Sequence, residues 1–125
     1  MSKSGYLLGI DIGTSSIKAS LLDCASGVCA ASAQSPQTEM PVLSPQLGWA
    51  EQHPEEWWQN VIAASRALRA AGHDLGRVQA IGITYQMHGL VLTDAGGAVV
   101  RPSIIWCDSR AVETGERCAK ALGDS

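Results

Sequence analysis

Gly9-Ile10-Asp11-Ile12-Gly13-Thr14-Ser15-Ser16-Ile17-Lys18 is a turn set between two apolar runs, and it decides the fold. Before it, Tyr6 to Ile10 is a short apolar segment. After it, from Ile17 to about Leu22, Ile17, Ala19 and Leu21 alternate with Lys18 and Ser20, the period of a half-buried strand. Asp23 to Gly27 reads as a second turn, with Gly27 supplying the positive φ that such turns favour. A third strand runs from Val28 to about Gln34. Three short strands joined by tight turns predict an antiparallel meander.

The same stretch carries candidate chemistry. It lies between strands and lacks a Gly-Lys-Ser/Thr ending, so it is neither a Walker-type loop nor a dinucleotide fingerprint. Gly13 allows close backbone approach, and the amides with the Thr14, Ser15 and Ser16 hydroxyls offer donors to a phosphate. Asp11, at a strand end, suits a magnesium ion held through water, and Lys18 adds positive charge. Asp, Gly, Thr and Ser also build ordinary hairpins, so spacing alone leaves both readings open.

Further along, Ser35 to His53 carries Pro36, Pro41, Pro45 and Gly48 and reads as a long loop. Pro54 suits the first position of a helix, and Glu55 and Glu56 suit the positive end of its dipole. Trp57, Trp58, Val61, Ile62, Ser65, Leu68 and Arg69 follow at helical spacing, and Gly72 ends the run. Both helix tryptophans read as packing, and Trp49 either covers a site or, more commonly, pins the loop to the core. Val78 to Tyr85 is expected as a buried fourth strand and His88 to Thr93 as a fifth, followed by a turn at Asp94-Ala95-Gly96-Gly97. An extended piece near Ile104 to Trp106 precedes a closing helix over Ser109 to Leu122, capped by Asp108 or Ser109. The order is an α/β pattern in which a meander precedes a crossover.

Two polar segments stand where ligands are held. Gln86-Met87-His88-Gly89 follows the fourth strand, where open α/β sheets place ligands; Gln86 and His88 can hydrogen-bond hydroxyls. A plain turn with a surface histidine explains the same residues. Trp106-Cys107-Asp108-Ser109-Arg110 sets an aromatic face beside a carboxylate and a guanidinium, a mixture that suits a sugar or, equally, a helix cap with a local ion pair.

Length and composition bound the rest. A chain of 125 residues makes one domain, and 46% hydrophobic against 17% charged residues favours a folded core over disorder. A net charge of −3 offers no footprint for nucleic acid or an acidic membrane. No apolar run approaches the roughly 20 residues that span a bilayer. The opening residues lack the apolar core of a signal peptide, so a cytoplasmic protein is expected. Cys24, Cys29, Cys107 and Cys118 form no CxxC pair and are expected as buried or half-buried free thiols.

Taken in order, these segments carry a resemblance. The stretch from Gly9 to Lys18 resembles the first phosphate motif of the FGGY sugar kinases, members of the actin and hexokinase superfamily with ribonuclease-H-like lobes. GWAEQHPEEWW, from Gly48 to Trp58, is similar to that family's GW-x-EQ-x-P-x-x-WW segment. QMHGLVLTD and VVRPSIIWCDSR resemble the xylulokinase branch, although Tyr85 replaces a frequent small residue and Cys107 a frequent asparagine. The match runs from about Tyr6 to Ala111.

The resemblance implies a partial ribonuclease-H-like α/β lobe over residues 1–125, with the rest of that lobe and a carboxy-terminal lobe elsewhere. It implies ATP and Mg2+ as cofactors and a sugar, D-xylulose first, as substrate. Asp11 then works with magnesium and the phosphoryl group, and Gly13, Thr14, Ser15 and Lys18 hold phosphate. Gln86, Met87, His88, Trp106, Asp108 and Arg110 line the sugar side, and the catalytic base lies outside the chain. The chain alone is then expected to be inactive, its partners being the rest of the kinase, the sugar and ATP. A homodimer stays open. Gluconate or glycerol kinases and a non-catalytic remnant or interaction module are the alternatives.

Overall fold

The three strands of the expected antiparallel meander form, and a further strand joins their sheet. The computed structural model describes residues 5–123, so the leader reading of the opening residues lies outside them. Its elements are β1 (Tyr6–Ile12), β2 (Ile17–Asp23), β3 (Cys29–Ser35), β4 (Glu51–Gln52), α1 (Pro54–Ala70), β5 (Val78–Tyr85), β6 (Ser103–Ile104) and α2 (Val112–Leu122). The chain divides into two compact units, Met1–Pro41 with Glu55–Gln86 and Val42–Pro54 with Met87–Ser125.

In the first unit the sheet order is β3-β2-β1-β5, with β1 antiparallel to β2 and parallel to β5. The β2–β3 pair is also antiparallel, which completes the meander. Tyr6, Leu8 and Ile10 on β1 and Ile17, Ala19 and Leu21 on β2 point to one buried face. Helix α1 covers it with Ala64 and Leu68, while Trp57 and Val61 pack at its margin, a 4-3-4 spacing that makes one helical stripe. Beyond the helix, Gly72 takes φ +93°, and the His73 amide reaches back to the Leu68 carbonyl at 3.3 Å.

In the second unit β4 and β6 pair antiparallel, Glu51 opposite Ile104 and Gln52 opposite Ser103. Leu43 bridges Glu51, and Leu90 bridges Ile104. The Asp94–Gly97 turn forms as expected, its Asp94 carboxylate accepting from the amides of Gly96 and Ala98 at 2.8 and 2.9 Å.

Several expectations need correction. The strand at Val78–Tyr85 has the expected bounds but is not buried: it is the sheet's edge, and Ile81, Ile83 and Tyr85 are exposed. No fifth strand spans His88 to Thr93; only single bridges form at Leu90 and Thr93, because His88 turns the backbone into the left-handed region. The long loop contains β4. Trp58 is exposed on α1. Helix α2 starts at Val112 behind Ala111 with no side-chain cap, since Asp108 and Ser109 bond elsewhere. All four cysteines are free, and all four are exposed. No helix among the described residues is long and apolar enough to cross a membrane.

Candidate functional site

The phosphate-type stretch lies in the first unit. Gly13 to Ser16 closes the β1–β2 hairpin, and the Gly13 amide donates to the Ser16 carbonyl at 3.2 Å. A Cβ at Gly13 would stand 2.9 Å from that oxygen, so the turn leaves no room for a side chain. Ser15 is exposed at the tip, and its carbonyl accepts from the Met40 amide at 2.8 Å. The Thr14 hydroxyl donates to the Gln86 side-chain carbonyl at 3.2 Å, and the Gln86 amide donates to the Ile12 carbonyl at 3.1 Å. Sequence reasoning assigned Thr14 and Gln86 to opposite ends of the chemistry; the parallel β1–β5 pairing places them together.

Asp11 emerges on the sheet face away from α1. It is in register with Lys18 on β2 and Thr84 on β5, so these three residues stand side by side across the sheet. One row back, Gly9 is in register with Ser20 and Gly82. These six residues line an open depression of about 550 Å³. A Cβ at Gly9 or Gly82 would meet nothing within 4 Å, which makes the floor flat and its backbone approachable. Among the described residues no three of His, Cys, Asp and Glu gather into an all-protein metal cage. A single carboxylate fits magnesium, which keeps waters and takes much of its coordination from ligands other than protein side chains.

The sugar-type segments of Met87, His88 and Trp106 lie in the second unit. His88 has φ +62°, a conformation a non-glycine residue adopts at a cost. Leu90, two residues on, exchanges both backbone hydrogen bonds with Ile104, at 2.8 and 3.3 Å. Ser103 Oγ also donates to the Leu90 carbonyl at 3.0 Å. Trp106 and Cys107 occupy the middle of a tight turn, closed by the Asp108 amide on the Ile105 carbonyl at 3.0 Å. Trp106 is 59% exposed, and Met87 and His88 are exposed as well.

Asp108 and Arg110 behave differently. The Asp108 side chain is 2% exposed. It accepts from the Ala50 amide at 2.6 Å, the Arg110 amide at 2.9 Å and the Arg110 Nε at 2.9 and 3.0 Å. Arg110 Nη2 donates to Asp108 Oδ2 and to Glu51 Oε1, each at 2.7 Å. Its guanidinium carbon lies 3.7 Å from the centre of the Trp49 ring. Arg101 pairs with the same Glu51 oxygen. The Arg110 side-chain bond, first among the causes and ahead of an opposing burial penalty, holds the Asp108 carboxyl far below the ordinary aspartate range. Asp108 in turn raises the Arg110 pKa, so the pair is ionised together.

Glu51 and Arg101 were missed as site residues. Glu51 was visible inside the GWAEQHPEEWW segment, but nothing local announces that an acid there is buried between two arginines.

The FGGY family of carbohydrate kinases, N-terminal domain, matches residues 6–124. The chain belongs to that family. This FGGY chain is 46% identical over 109 residues to the xylulose kinase of Escherichia coli (strain K12), covering 85% of the chain and 21% of that protein. It is 40% identical over 119 residues to the glycerol kinase of Chelativorans sp. (strain BNC1), covering 94% and 22%. Among solved structures it is similar to xylulose kinase from Rhodospirillum rubrum, with a TM-score of 0.80, 32% identity, and 96% and 24% of the two chains covered. Gluconate kinase from Lactobacillus acidophilus gives 0.78, 28% identity, and 94% and 23%. The FGGY chain thus spans about a fifth to a quarter of the length of the relatives it matches. Its mixed α/β sheet is part of the actin and hexokinase type of lobe.

Proposed function

We propose that this chain supplies the phosphate hairpin and the sugar-facing segment of an ATP-dependent sugar kinase, with D-xylulose as substrate and xylulose 5-phosphate as product. The position of Asp11 carries the reading: an acid on an open, glycine-floored sheet face, beside Lys18 and one residue from the phosphate-type turn. In the reaction the γ-phosphorus forms a bond to the terminal sugar oxygen as its bond to the ADP oxygen breaks. Protein residues have little covalent work in such a transfer; they position the reactants and neutralise charge. Magnesium, bound with ATP, supplies neutralisation of the phosphoryl oxygens, and Asp11 is the residue that would hold it. Gly13 lets the phosphate approach the backbone closely, the Thr14 and Ser15 amides donate to it, and Lys18 balances its charge. Gln86, Met87, His88 and Trp106 face the sugar, with Asp108 and Arg110 shaping that region. The base that takes the hydroxyl proton comes from a further part of the polypeptide, and a cytoplasmic setting goes with the same reading.

The test is phosphorylation of D-xylulose, glycerol and gluconate by the full-length polypeptide carrying this sequence, with and without Asp11→Asn. Xylulose is expected to give the highest kcat/KM, and the variant to lose about a hundredfold or more in kcat. Preference for glycerol or gluconate, the second reading that the named relatives favour, would move the substrate and keep the kinase. No transfer to any of the three would leave a non-catalytic module.

A further inference from the structure

The turn that carries Trp106 is fastened at both ends to residues 50 and 51, by backbone pairing before it and by a cluster of charges after it. On its leading side the Ile105 amide donates to the Ala50 carbonyl at 3.1 Å, and Glu51 pairs with Ile104 across β4 and β6. On its trailing side Asp108 returns to the Ala50 amide, and Arg110 returns to Glu51. Residues 50 and 51 therefore hold residues 104 to 110 by both backbone and side chain. The cluster is electrically closed: Glu51 and Asp108 balance Arg101 and Arg110. The Glu51 side chain is only 7% exposed, and Trp49 covers the Arg110 guanidinium. The one Arg110 nitrogen without a protein partner, Nη1, is buried. Trp106 and Cys107, in the middle of this turn, are both exposed.

We propose that Glu51, acting through Arg110 and Asp108, is a positioning residue that sets the Trp106 indole for sugar binding, so that Asp108 and Arg110 act by holding the turn and not by touching the sugar. This rests on the sugar-kinase reading above. A carboxylate with every bond committed to its own chain has nothing left for a sugar hydroxyl. An indole on a rigid turn offers a face at fixed height, which suits the C–H face of a sugar.

Glu51→Gln keeps the shape and leaves the two arginines facing a single carboxylate. In the full-length kinase it is expected to raise the sugar KM about tenfold while the ATP KM and kcat stay within threefold, with Glu51→Asp recovering part of the loss. A folded Glu51→Gln enzyme with an unchanged sugar KM overturns the proposal. Equal rises in both KM values, with a lowered Tm, also overturn it, because that pattern marks a merely structural role. If Glu51→Gln does not fold, Trp49→Leu loosens Arg110 with all four charges in place, and the sugar KM alone must rise. A second readout separates this idea from the kinase reading: acrylamide quenching of Trp106, taken as the difference between each protein and its Trp106→Phe counterpart. Glu51→Gln must make Trp106 more quenchable even if the wild type phosphorylates nothing; identical quenching removes the clamp.

Discussion

Thr14 and Gln86, 72 positions apart in sequence, meet through a half-buried hydrogen bond of 3.2 Å, the threonine hydroxyl donating to the glutamine carbonyl. The bond joins the turn after β1 to the end of β5, and the Gln86 amide on the Ile12 carbonyl doubles it. In the proposed kinase this ties the phosphate hairpin to the first residue of the sugar-facing segment.

Removing the acceptor should therefore be felt at the nucleotide. Gln86→Leu is expected to weaken ATP binding to the full-length kinase about fivefold, the equivalent of one net hydrogen bond of roughly 1 kcal/mol. Titration calorimetry of ATP binding without sugar checks this. An unchanged ATP affinity would confine Gln86 to the sugar or to the fold.

Asp108 predicts the acid limb of stability. Its folded pKa lies below the ordinary aspartate value near 3.8, so the folded state prefers the ionised form. Its contribution is complete above that value and is lost as pH falls through it towards the folded pKa. Urea midpoints of wild type and Asp108→Asn should differ at pH 7 and converge between about pH 4 and pH 2. Parallel pH profiles would show that Asp108 does not govern the limb.

Two glycines separate strain from open space. Gly48 has φ +77°, and a Cβ there would lie 2.5 Å from Ser109 Oγ, the atom that bonds the Gly48 carbonyl. Gly48→Ala is expected to cost about 1–2 kcal/mol from backbone strain alone. Gly9, with nothing within 4 Å of its would-be Cβ, should tolerate alanine within about 0.5 kcal/mol. Equilibrium urea unfolding measures both, and equal costs would contradict the difference drawn here.

Leu68 anchors α1 on the meander at 1% exposure. Leu68→Ala should cost about 2–5 kcal/mol by lost transfer energy and cavity formation. The exposed Trp58 on the same helix should lose less than about 1 kcal/mol on replacement by alanine. Denaturant midpoints that ranked the two the other way would reverse the assignment of the buried face.

Much of the fold was legible because it is local. Alternation at Ile17, Ala19 and Leu21, the proline and acids opening α1 and the turn at Asp94 each follow from a few neighbouring residues. Ordered motifs likewise pointed to the family, since each is a short string. Burial was not legible. Ile81, Ile83 and Tyr85 read as core because they are apolar, yet they line an edge strand that α1 leaves uncovered.

The candidate site divides along the same line. By itself the sequence determined the meander, the first helix, the phosphate-type turn and the family, because backbone propensity and pattern act within a few residues. Only the tertiary structure decided that Thr14 meets Gln86 and that Asp11 stands between Lys18 and Thr84. It also decided that Glu51 is buried between Arg101 and Arg110. Those facts depend on which distant strands pair and in what register, and on which charges lose water together. Coulomb attraction and hydrogen bonding act over a few ångströms of space, and nothing in residue spacing states which distant groups will share that space.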